Sequence, residues 1–145
     1  MALLDGTYTS PRIVKSDSRG QLWKLLNGAE EHAPPEFGEI YMVTIQPGQS
    51  RGNHYHLKAN EWFMILRGSA RAVLTDPTSG NESSLDLSAD EPAMLFVPAG
   101  LAHTFTNTDN DASELCMLAY SDQPYSPDDT VPYTQHPRMT QARQS

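Results

Sequence analysis

Two stretches of the sequence decide the fold. Residues 48–68 read GQSRGNHYHLKANEWFMILRG, and residues 97–107 read VPAGLAHTFTN. Alternate side chains on a β-strand point to the same face, so His54 and His56 would project together while Tyr55 points away. The first stretch therefore predicts a strand that presents two imidazoles to one side of a sheet.

Two further side chains complete a set of metal ligands. Glu61 follows His56 after a short bend and opens an apolar strand, and His103 follows the PAG turn on a third strand. If the sheet closes into a barrel, these groups would converge on one point in its interior. Mixed imidazole and carboxylate ligands suit several divalent transition metals, so the sequence predicts a metal site without selecting the metal.

The remaining chain indicates an all-β domain. Short apolar runs are separated by turn-forming Gly, Pro, Asn and Asp residues, with no long helical stripe and no internal repeat. The predicted strands cover residues 7–15, 20–26, 39–46, 51–57, 61–67, 69–75, 83–88, 93–97, 102–107 and 113–121. We expect a single domain over residues 1–145, with N-terminal strands within 7–26, a barrel core at about 38–121 and an irregular tail at 122–145.

Composition excludes several classes of function. The 145 residues carry a formal net charge of −8, which disfavours general nucleic-acid binding because that affinity depends on Lys and Arg contacts to phosphates. No apolar run approaches the length of a membrane span, and the lone Cys116 cannot form an internal disulfide. The opening MALLDGTYTS lacks the basic and apolar regions of a secretion signal, so we expect a cytoplasmic location.

Positive charge is nevertheless concentrated near the ligand set. Between positions 51 and 71, where Glu61 is the only acidic residue, the chain carries four basic residues, Arg51, Lys58, Arg67 and Arg71. This local reversal of charge predicts a small anionic substrate. Phe105 and Asn107 share a strand face with His103 and would also line the interior. The candidate substrate-binding residues are therefore Arg51, Arg67, Phe105 and Asn107.

Both stretches resemble the motifs of the cupin superfamily. The first motif, G-x5-H-x-H-x4-E-x6-G, is matched at every position by Gly48, His54, His56, Glu61 and Gly68. The second motif, G-x5-P-x-G-x2-H-x3-N, is matched by Pro98, Gly100, His103 and Asn107, with Pro92 at the position of the leading Gly. The resemblance implies a double-stranded β-helix, or jelly-roll barrel. It also implies one divalent ion (Zn, Fe, Mn or Ni) held by His54, His56, Glu61 and His103.

A narrower likeness points to sugar chemistry. The segment RGNHYHLKANEWFMILRG is similar to the C-terminal cupin domain of bifunctional capsular-polysaccharide enzymes, which acts on a UDP-linked 4-keto sugar as a zinc-containing 3-epimerase. RGNHYH and PAGLAHTF also resemble, more distantly, the RGLHYQ and PPGFAHGF stretches of dTDP-4-dehydrorhamnose 3,5-epimerases. That second likeness implies His54 as catalytic base and Tyr120 as general acid, with His56 replacing a Gln of those epimerases.

The expected reaction follows from these residues. A metal ion or cation at a carbonyl oxygen stabilises the enolate that forms when a neighbouring carbon loses its proton. A histidine or Lys58 would remove the proton, and Tyr120 would return it on the opposite face. The favoured hypothesis is an epimerase or isomerase of a nucleotide-linked keto sugar in polysaccharide or deoxysugar biosynthesis.

Other readings stay open at this point. The same ligand set would serve an Fe(II)- or Mn-dependent dioxygenase or lyase, and a non-catalytic sugar-binding cupin is the third hypothesis. Lys58 could equally be a solvated side chain, and Tyr120 could pack in the core. We also expect a homodimer, by analogy with cupins, through apolar residues of the N-terminal strands, namely Ile13, Leu22, Trp23, Leu25 and Leu26.

Overall fold

The protein folds into two antiparallel β-sheets that face each other. The computed structural model describes residues 4–6, 8 and 10–134. Its strands are β1 (Lys15–Asp17), β2 (Gly20–Leu26), β3 (Glu39–Ile45), β4 (Ser50–His56), β5 (Glu61–Arg67), β6 (Ser69–Thr75), β7 (Glu82–Ser88), β8 (Met94–Val97), β9 (Ala102–Asn107), β10 (Leu115–Ser121) and β11 (Thr130–Pro132). The prediction of an all-β fold is confirmed.

The order of the strands is that of a jelly roll. The first sheet has the order β1-β2-β3-β10-β5-β8, and the second has the order β11-β4-β9-β6-β7. Consecutive strands therefore alternate between the sheets through much of the barrel, and β4 and β5 face each other from opposite sheets. This crossing places the two imidazoles of β4 opposite the carboxylate of β5, as the cupin resemblance implies.

Alternating side chains build the interior. On β10, Leu115, Met117 and Ala119 are buried, whereas the residues between them are partly exposed. Inward residues of both sheets form one apolar cluster, in which Ile45 and Leu115 have no exposed surface. The cluster fills one end of the barrel and leaves the other end, where the histidines lie, for polar side chains.

Two peripheral regions differ from the predicted strands. The strand expected at residues 7–15 is instead the short β1, although positions 7 and 9 lie outside the described residues. The segment expected to be irregular contains a 3-10 turn at Pro127–Asp129 and then β11, which pairs with β4. Pro127 and Pro132 obscured this pairing in the sequence, because proline usually marks the absence of a strand. Residues 135–145 lie outside the described residues.

The apolar side chains of the N-terminal strands have different environments. Ile13 and Leu25 are exposed, whereas Leu22 packs against the core and so is not available on the outside. Among the described residues, no helix is long and apolar enough to cross a membrane.

Candidate metal and substrate site

A bulge in β4 sets the direction of the side chains at the site. Gly52 pairs with Thr104 and His54 pairs with His103, so Asn53 is an extra residue in the ladder. Gly52 and Asn53 both have positive φ, of 105° and 55°, which glycine and asparagine adopt most readily. The extra residue turns Arg51 to the same interior face as His54, although strict alternation would place them on opposite faces.

The structure brings the four predicted ligands together. One ligand atom from each of His54, His56, Glu61 and His103 can be chosen so that all four lie within 4.8 Å of one another. Nε2 of His56 lies 3.3 Å from Oε1 of Glu61, and Nε2 of His103 lies 3.3 Å from Oε2. The carboxylate is thus shared between two imidazoles, while the His54 ring lies edge-on to both other imidazoles.

Neighbouring groups hold three of the four ligands. The Nδ1 atom of His56 lies 3.4 Å from the Asp129 carboxylate, and the Tyr41 hydroxyl donates to Oε1 of Glu61 at 2.9 Å. Nδ1 of His103 lies 3.4 Å from the Leu101 carbonyl oxygen. His54 has no hydrogen-bond partner among the described residues, so its imidazole nitrogens remain available to a ligand or a substrate.

Burial and charge set the protonation of the cluster. Burial, together with the neighbouring imidazoles, lowers the pKa of His54 to about 4, and burial also lowers the pKa of His103. Burial opposes the charge on His56, but the nearby carboxylates of Glu61 and Asp129 outweigh it and raise the pKa of His56. Burial likewise opposes ionisation of Glu61, yet its imidazole neighbours and Tyr41 lower its pKa. At neutral pH the cluster therefore offers one carboxylate and at least two neutral imidazoles.

These side chains fit a divalent metal ion. Nε2 of His56 and Oε2 of Glu61 are buried without a hydrogen-bond partner, and leaving such atoms unpaired is unfavourable. Zinc lies about 2.0–2.2 Å from nitrogen and carboxylate ligands, so its donors lie at most about 4.4 Å apart. The four donor atoms lie within 4.8 Å of one another, about 0.4 Å beyond that limit, so the side chains would have to move slightly inward to bind one ion together. A carboxylate and neutral imidazoles around one point could hold a metal ion, as predicted.

The cluster opens into a cavity of about 390 Å³, a size typical of small-molecule sites. One wall belongs to the five-stranded sheet and carries the three histidines and Arg51. The facing wall belongs to the six-stranded sheet and carries Glu61, Tyr41, Glu39 and Lys24. The segment from Gln123 to Thr130 closes one side, so residues from both sheets and from the region after β10 line one space.

Two predicted substrate-binding residues reach this cavity. Phe105 is buried and lines its floor, with its ring centroid 4.7 Å from that of Phe63. Arg51 also lines the cavity and donates from Nε to the Thr44 carbonyl oxygen, while its Nη2 lies 3.4 Å from the Asp17 carboxylate. Arg19 pairs with the same Asp17 carboxylate, and Lys15 also lines the cavity, which gives three lining cations on β1, the turn after it and β4, namely Lys15, Arg19 and Arg51.

Four other predicted residues do not line the cavity. Lys58 is exposed, because it follows β4 in a bend whose backbone N–H donates to Asp129. Tyr120 lies on the outer face of β10, where its ring packs against Phe37 and Trp62. Their catalytic roles therefore have no support from the geometry.

The other two hold the edges of the barrel. Arg67 points outward from the end of β5 and pairs with Glu114. Asn107 is buried, but its amide donates to the carbonyl oxygens of Ile45 and Ser113 and so fixes the loop before β10. Asn107 was predicted to contact substrate because it shares a strand face with His103. Its amide instead donates to the two backbone carbonyl oxygens.

Sequence reasoning missed several residues of the site, among them Tyr41, Glu39 and Asp129. Tyr41 and Glu39 alternate with Val43 and Ile45 on β3, so the inward polar positions were readable from EIYMVTI. Asp129 had no comparable signal, because 73 positions separate it from His56 and only the folded tail brings the two together.

Comparisons with known proteins agree with this fold. The chain is 26% identical over 131 residues to the spore coat polysaccharide biosynthesis protein SpsL of Bacillus subtilis, covering 87% of this chain and 85% of SpsL. It is also 26% identical over 106 residues to a UDP-2-acetamido-2,6-beta-L-arabino-hexul-4-ose reductase of Pseudomonas aeruginosa. That match covers 73% of this chain but only 27% of the reductase.

Solved structures show the same architecture. The capsular polysaccharide assembling protein CapF of Staphylococcus aureus superposes with a TM-score of 0.76 at 21% identity, covering 89% of this chain and 34% of CapF. A dTDP sugar isomerase of Desulfovibrio desulfuricans superposes with a TM-score of 0.62 at 22% identity, covering 92% and 89% of the two chains. The predicted cupin fold is thereby confirmed.

A family model describes most of the chain. The model of the polysaccharide biosynthesis C-terminal domain matches residues 15–133, which run from β1 through β11 and include every ligand of the cluster. With its cupin barrel and the inward-facing His and Glu residues, this chain belongs to the polysaccharide biosynthesis C-terminal domain family.

Proposed function

We propose that the protein is a metal-dependent epimerase of a nucleotide-linked keto sugar used in polysaccharide biosynthesis. The observation that carries the proposal is the convergence of His54, His56, Glu61 and His103 at one end of a cavity whose other part carries three cations. The names of the relatives support the same chemistry, since they include a reductase of a UDP-linked keto sugar and a dTDP sugar isomerase.

Charge and distance favour a substrate with phosphate groups. Arg19 and Arg51 both pair with Asp17, and Lys15 is a third cation that lines the cavity, so these three cations outnumber the one acid that pairs with them. Because of the bulge, Arg51 and His54 lie opposite Phe105 and His103, which are two residues, or about 7 Å, apart along β9. A diphosphate at the cations would place an attached sugar ring near the histidines.

The four ligands then divide into two roles. His56, Glu61 and His103 would hold the ion, because each is oriented by a neighbouring group as metal ligands usually are. When bound, a divalent ion supplies a Lewis acid for the carbonyl oxygen of the substrate. His54, neutral at pH 7 and without a protein partner, would accept the proton from the carbon next to that carbonyl.

Proton exchange tests the reaction itself. The metal-loaded protein is incubated in D2O with a panel of UDP- and dTDP-linked 4-keto-6-deoxyhexoses, and loss of the C3 and C5 proton signals is followed by NMR. We expect exchange into at least one sugar, and His54→Gln should reduce it by about 10²–10⁴-fold. Arg71→Gln removes an exposed cation on the outside and is the matched control. Absence of exchange across the panel, with sugar binding retained, would identify a binding protein instead.

Metal content tests the division of roles. Elemental analysis of the purified variants should find a full equivalent of metal in His54→Gln and a large loss in His103→Gln. Loss of metal from both variants would return His54 to the four-ligand set that the sequence predicted.

We also propose that the protein is a homodimer. Support comes from exposed apolar side chains at the N-terminal strands, among them Ile13 and Leu25. Light scattering of the purified protein should give twice the mass of one chain, and the double variant Ile13→Glu, Leu25→Glu should give the monomer.

A further inference from the structure

The cavity contains a charged pair that the proposed reaction has not yet used. Nζ of Lys24 lies 2.6 Å from Oε2 of Glu39, and the side chains are 28% and 7% exposed. Both line the cavity that contains the histidines. Removing two charges from water is unfavourable even when they pair, so an ion pair inside a substrate cavity is better explained by chemistry than by stability.

The strand register places this pair close to the metal ligands. Glu61, Ser121 and Glu39 lie in one row across β5, β10 and β3, which puts Glu39 two strand spacings, or about 10 Å, from Glu61. In the next row Lys24 is the cross-strand neighbour of Tyr41, whose hydroxyl donates to Glu61. The pair and the carboxylate ligand thus occupy the same patch of one sheet.

Small residues keep that patch open. Two small residues of β10 lie between the larger inward side chains of β3 and β5. Ala119 lies between Tyr41 and Phe63, and Ser121 lies between Glu39 and Glu61. Neither side chain fills the space above the sheet, so a flat ligand can lie there with the histidines of the five-stranded sheet over its other face. His54 and Lys24 would then approach such a ligand from opposite walls.

Lys24 is also held in position. Besides its bond to Glu39, the ammonium lies 5.1 Å from the centroid of the Tyr125 ring, which approaches from the segment after β10. An ammonium carries three N–H donors, so contact with the carboxylate leaves hydrogens for a ligand. Lys58, which the sequence suggested as a base, and Tyr120, which it suggested as the acid, do not line this cavity.

We propose that Lys24 is a catalytic residue that donates the proton to the substrate carbon on the face turned away from His54. The inference rests on the proposed epimerase function. In the forward direction, the C–H bond breaks, its proton moves to His54, and the electron pair forms the enolate. An N–H bond of Lys24 then breaks as the new C–H bond forms on the opposite face. The resulting neutral amine regains a proton from water, and His54 releases its proton to water.

The decisive variant is Lys24→Arg. It keeps the positive charge beside Glu39, but a guanidinium does not release its proton in proteins. Using a nucleotide-linked keto sugar that the wild-type protein exchanges in D2O, NMR would follow deuterium exchange and epimer formation separately. We expect exchange to continue with retained configuration, because His54 still removes and returns a proton on its own face. Epimer formation should fall by about 10²–10⁴-fold.

The reverse direction supplies an independent readout. The reverse reaction begins in the protonation state in which the forward step ends, with Lys24 as a neutral amine and His54 protonated. Starting from the other epimer, this amine would remove the proton and His54 would donate one, so Lys24→Arg should suppress exchange as well as epimer formation. A merely structural role would reduce exchange from both epimers alike. The double variant Lys24→Met, Glu39→Gln removes both charges without leaving an unpaired carboxylate and should give the same asymmetry. Arg71→Gln, which removes an exposed cation paired with Asp86, should behave as wild type.

The outcomes separate this inference from the proposed function. Wild-type rates of epimer formation in Lys24→Arg would overturn it and leave the epimerase intact. Equal losses of exchange and epimer formation from both starting epimers would also overturn it. If the wild-type protein exchanges no sugar of the panel, the proposed function and the role of Lys24 fall together.

Discussion

The two ends of the barrel are built by the same alternation of side chains but have opposite character. At the closed end, inward positions carry Ile45, Leu115 and Ile65, which pack without a gap for solvent. At the open end, the inward positions of the same strands carry Glu39, Glu61 and small residues. The comparison teaches that strand geometry supplies the positions at both ends, whereas the residue types decide which end is core and which is site.

The largest effect on stability is expected at the closed end. Leu115 is fully buried, so Leu115→Ala removes packed methyl groups and leaves a cavity, and should reduce the free energy of unfolding by about 2–5 kcal/mol. Leu66→Ala, at a position 43% exposed on the outer face, is the control and should change it much less. Urea titration measures both. A loss below that of Leu66→Ala would contradict the assignment of this end as core.

At the open end, the larger effect should be on metal affinity. His103→Gln removes a proposed ligand and should weaken binding by more than the roughly 100-fold that loss of a supporting residue can cause. Competition with a chromophoric chelator gives the affinity, and thermal unfolding without metal gives the stability. Metal affinity at the wild-type level would remove His103 from the ligand set.

The bulge in β4 connects the two ends and can be tested alone. A Cβ at Gly52 would lie 2.5 Å from the His103 carbonyl oxygen, and the positive φ adds strain. Gly52→Ala should therefore lower the free energy of unfolding by roughly 2–3 kcal/mol and weaken metal binding by moving His54 and His103. At Gly48 the φ is also positive but no atom lies within 4 Å of a new Cβ. Gly48→Ala should lower stability by only about 1–2 kcal/mol and leave metal binding unchanged.

Support of His56 by Asp129 predicts a smaller effect. Asp129→Asn keeps Oδ1 as acceptor for the Lys58 N–H but replaces Oδ2, which accepts from the Ala59 N–H and lies beside the His56 imidazole, with an uncharged NH2 group. Metal affinity should fall by about 10–100-fold. Asp128→Asn changes an exposed neighbour and should leave the affinity unchanged, as measured in the same chelator assay. Equal metal affinities in both variants would show that Asp129 stabilises the bend at Lys58 and Ala59 but does not support metal binding.

The smallest expected effect is that of Tyr41→Phe on metal affinity, with Tyr120→Phe as its comparison. Tyr41→Phe removes one hydrogen bond to the Glu61 carboxylate. A hydrogen bond to a charged acceptor contributes about 1.5–3 kcal/mol, and the free energy of metal binding should fall by only a part of that amount. Tyr120→Phe alters the outer face and should change neither metal affinity nor sugar exchange. Loss of exchange in Tyr120→Phe alone would restore the catalytic role that the sequence assigned to Tyr120.

Much of this architecture was predictable because it depends on short-range patterns. The period of two placed His54 and His56 on one face, and turn residues bounded most strands. The motif spacing of the resemblance located His103 correctly, and the family match confirms the type of fold. Local patterns succeed here because a strand's own sequence determines which residues share a face.

The remainder depends on contacts between distant segments. Tyr120, which was assigned through the more distant resemblance, packs on the outer face of β10, and its catalytic role stays a prediction. Arg51 reaches the interior only through the bulge, whose signal is the Gly52–Asn53 pair. Asp129 reaches His56 only when the segment after β10 folds back along β4. The metal roles of the four ligands stay predictions until the ion is measured.

That returning segment has a consequence for the behaviour of the chain in a crowded solution. β4 would be the edge of its sheet without β11, and an open edge offers unpaired N–H and C=O groups to another chain. Three residues cover this edge, and the same turn delivers Asp129 to His56. A variant that detaches β11 would therefore be prone to self-association through the strand that carries two of its metal-binding histidines.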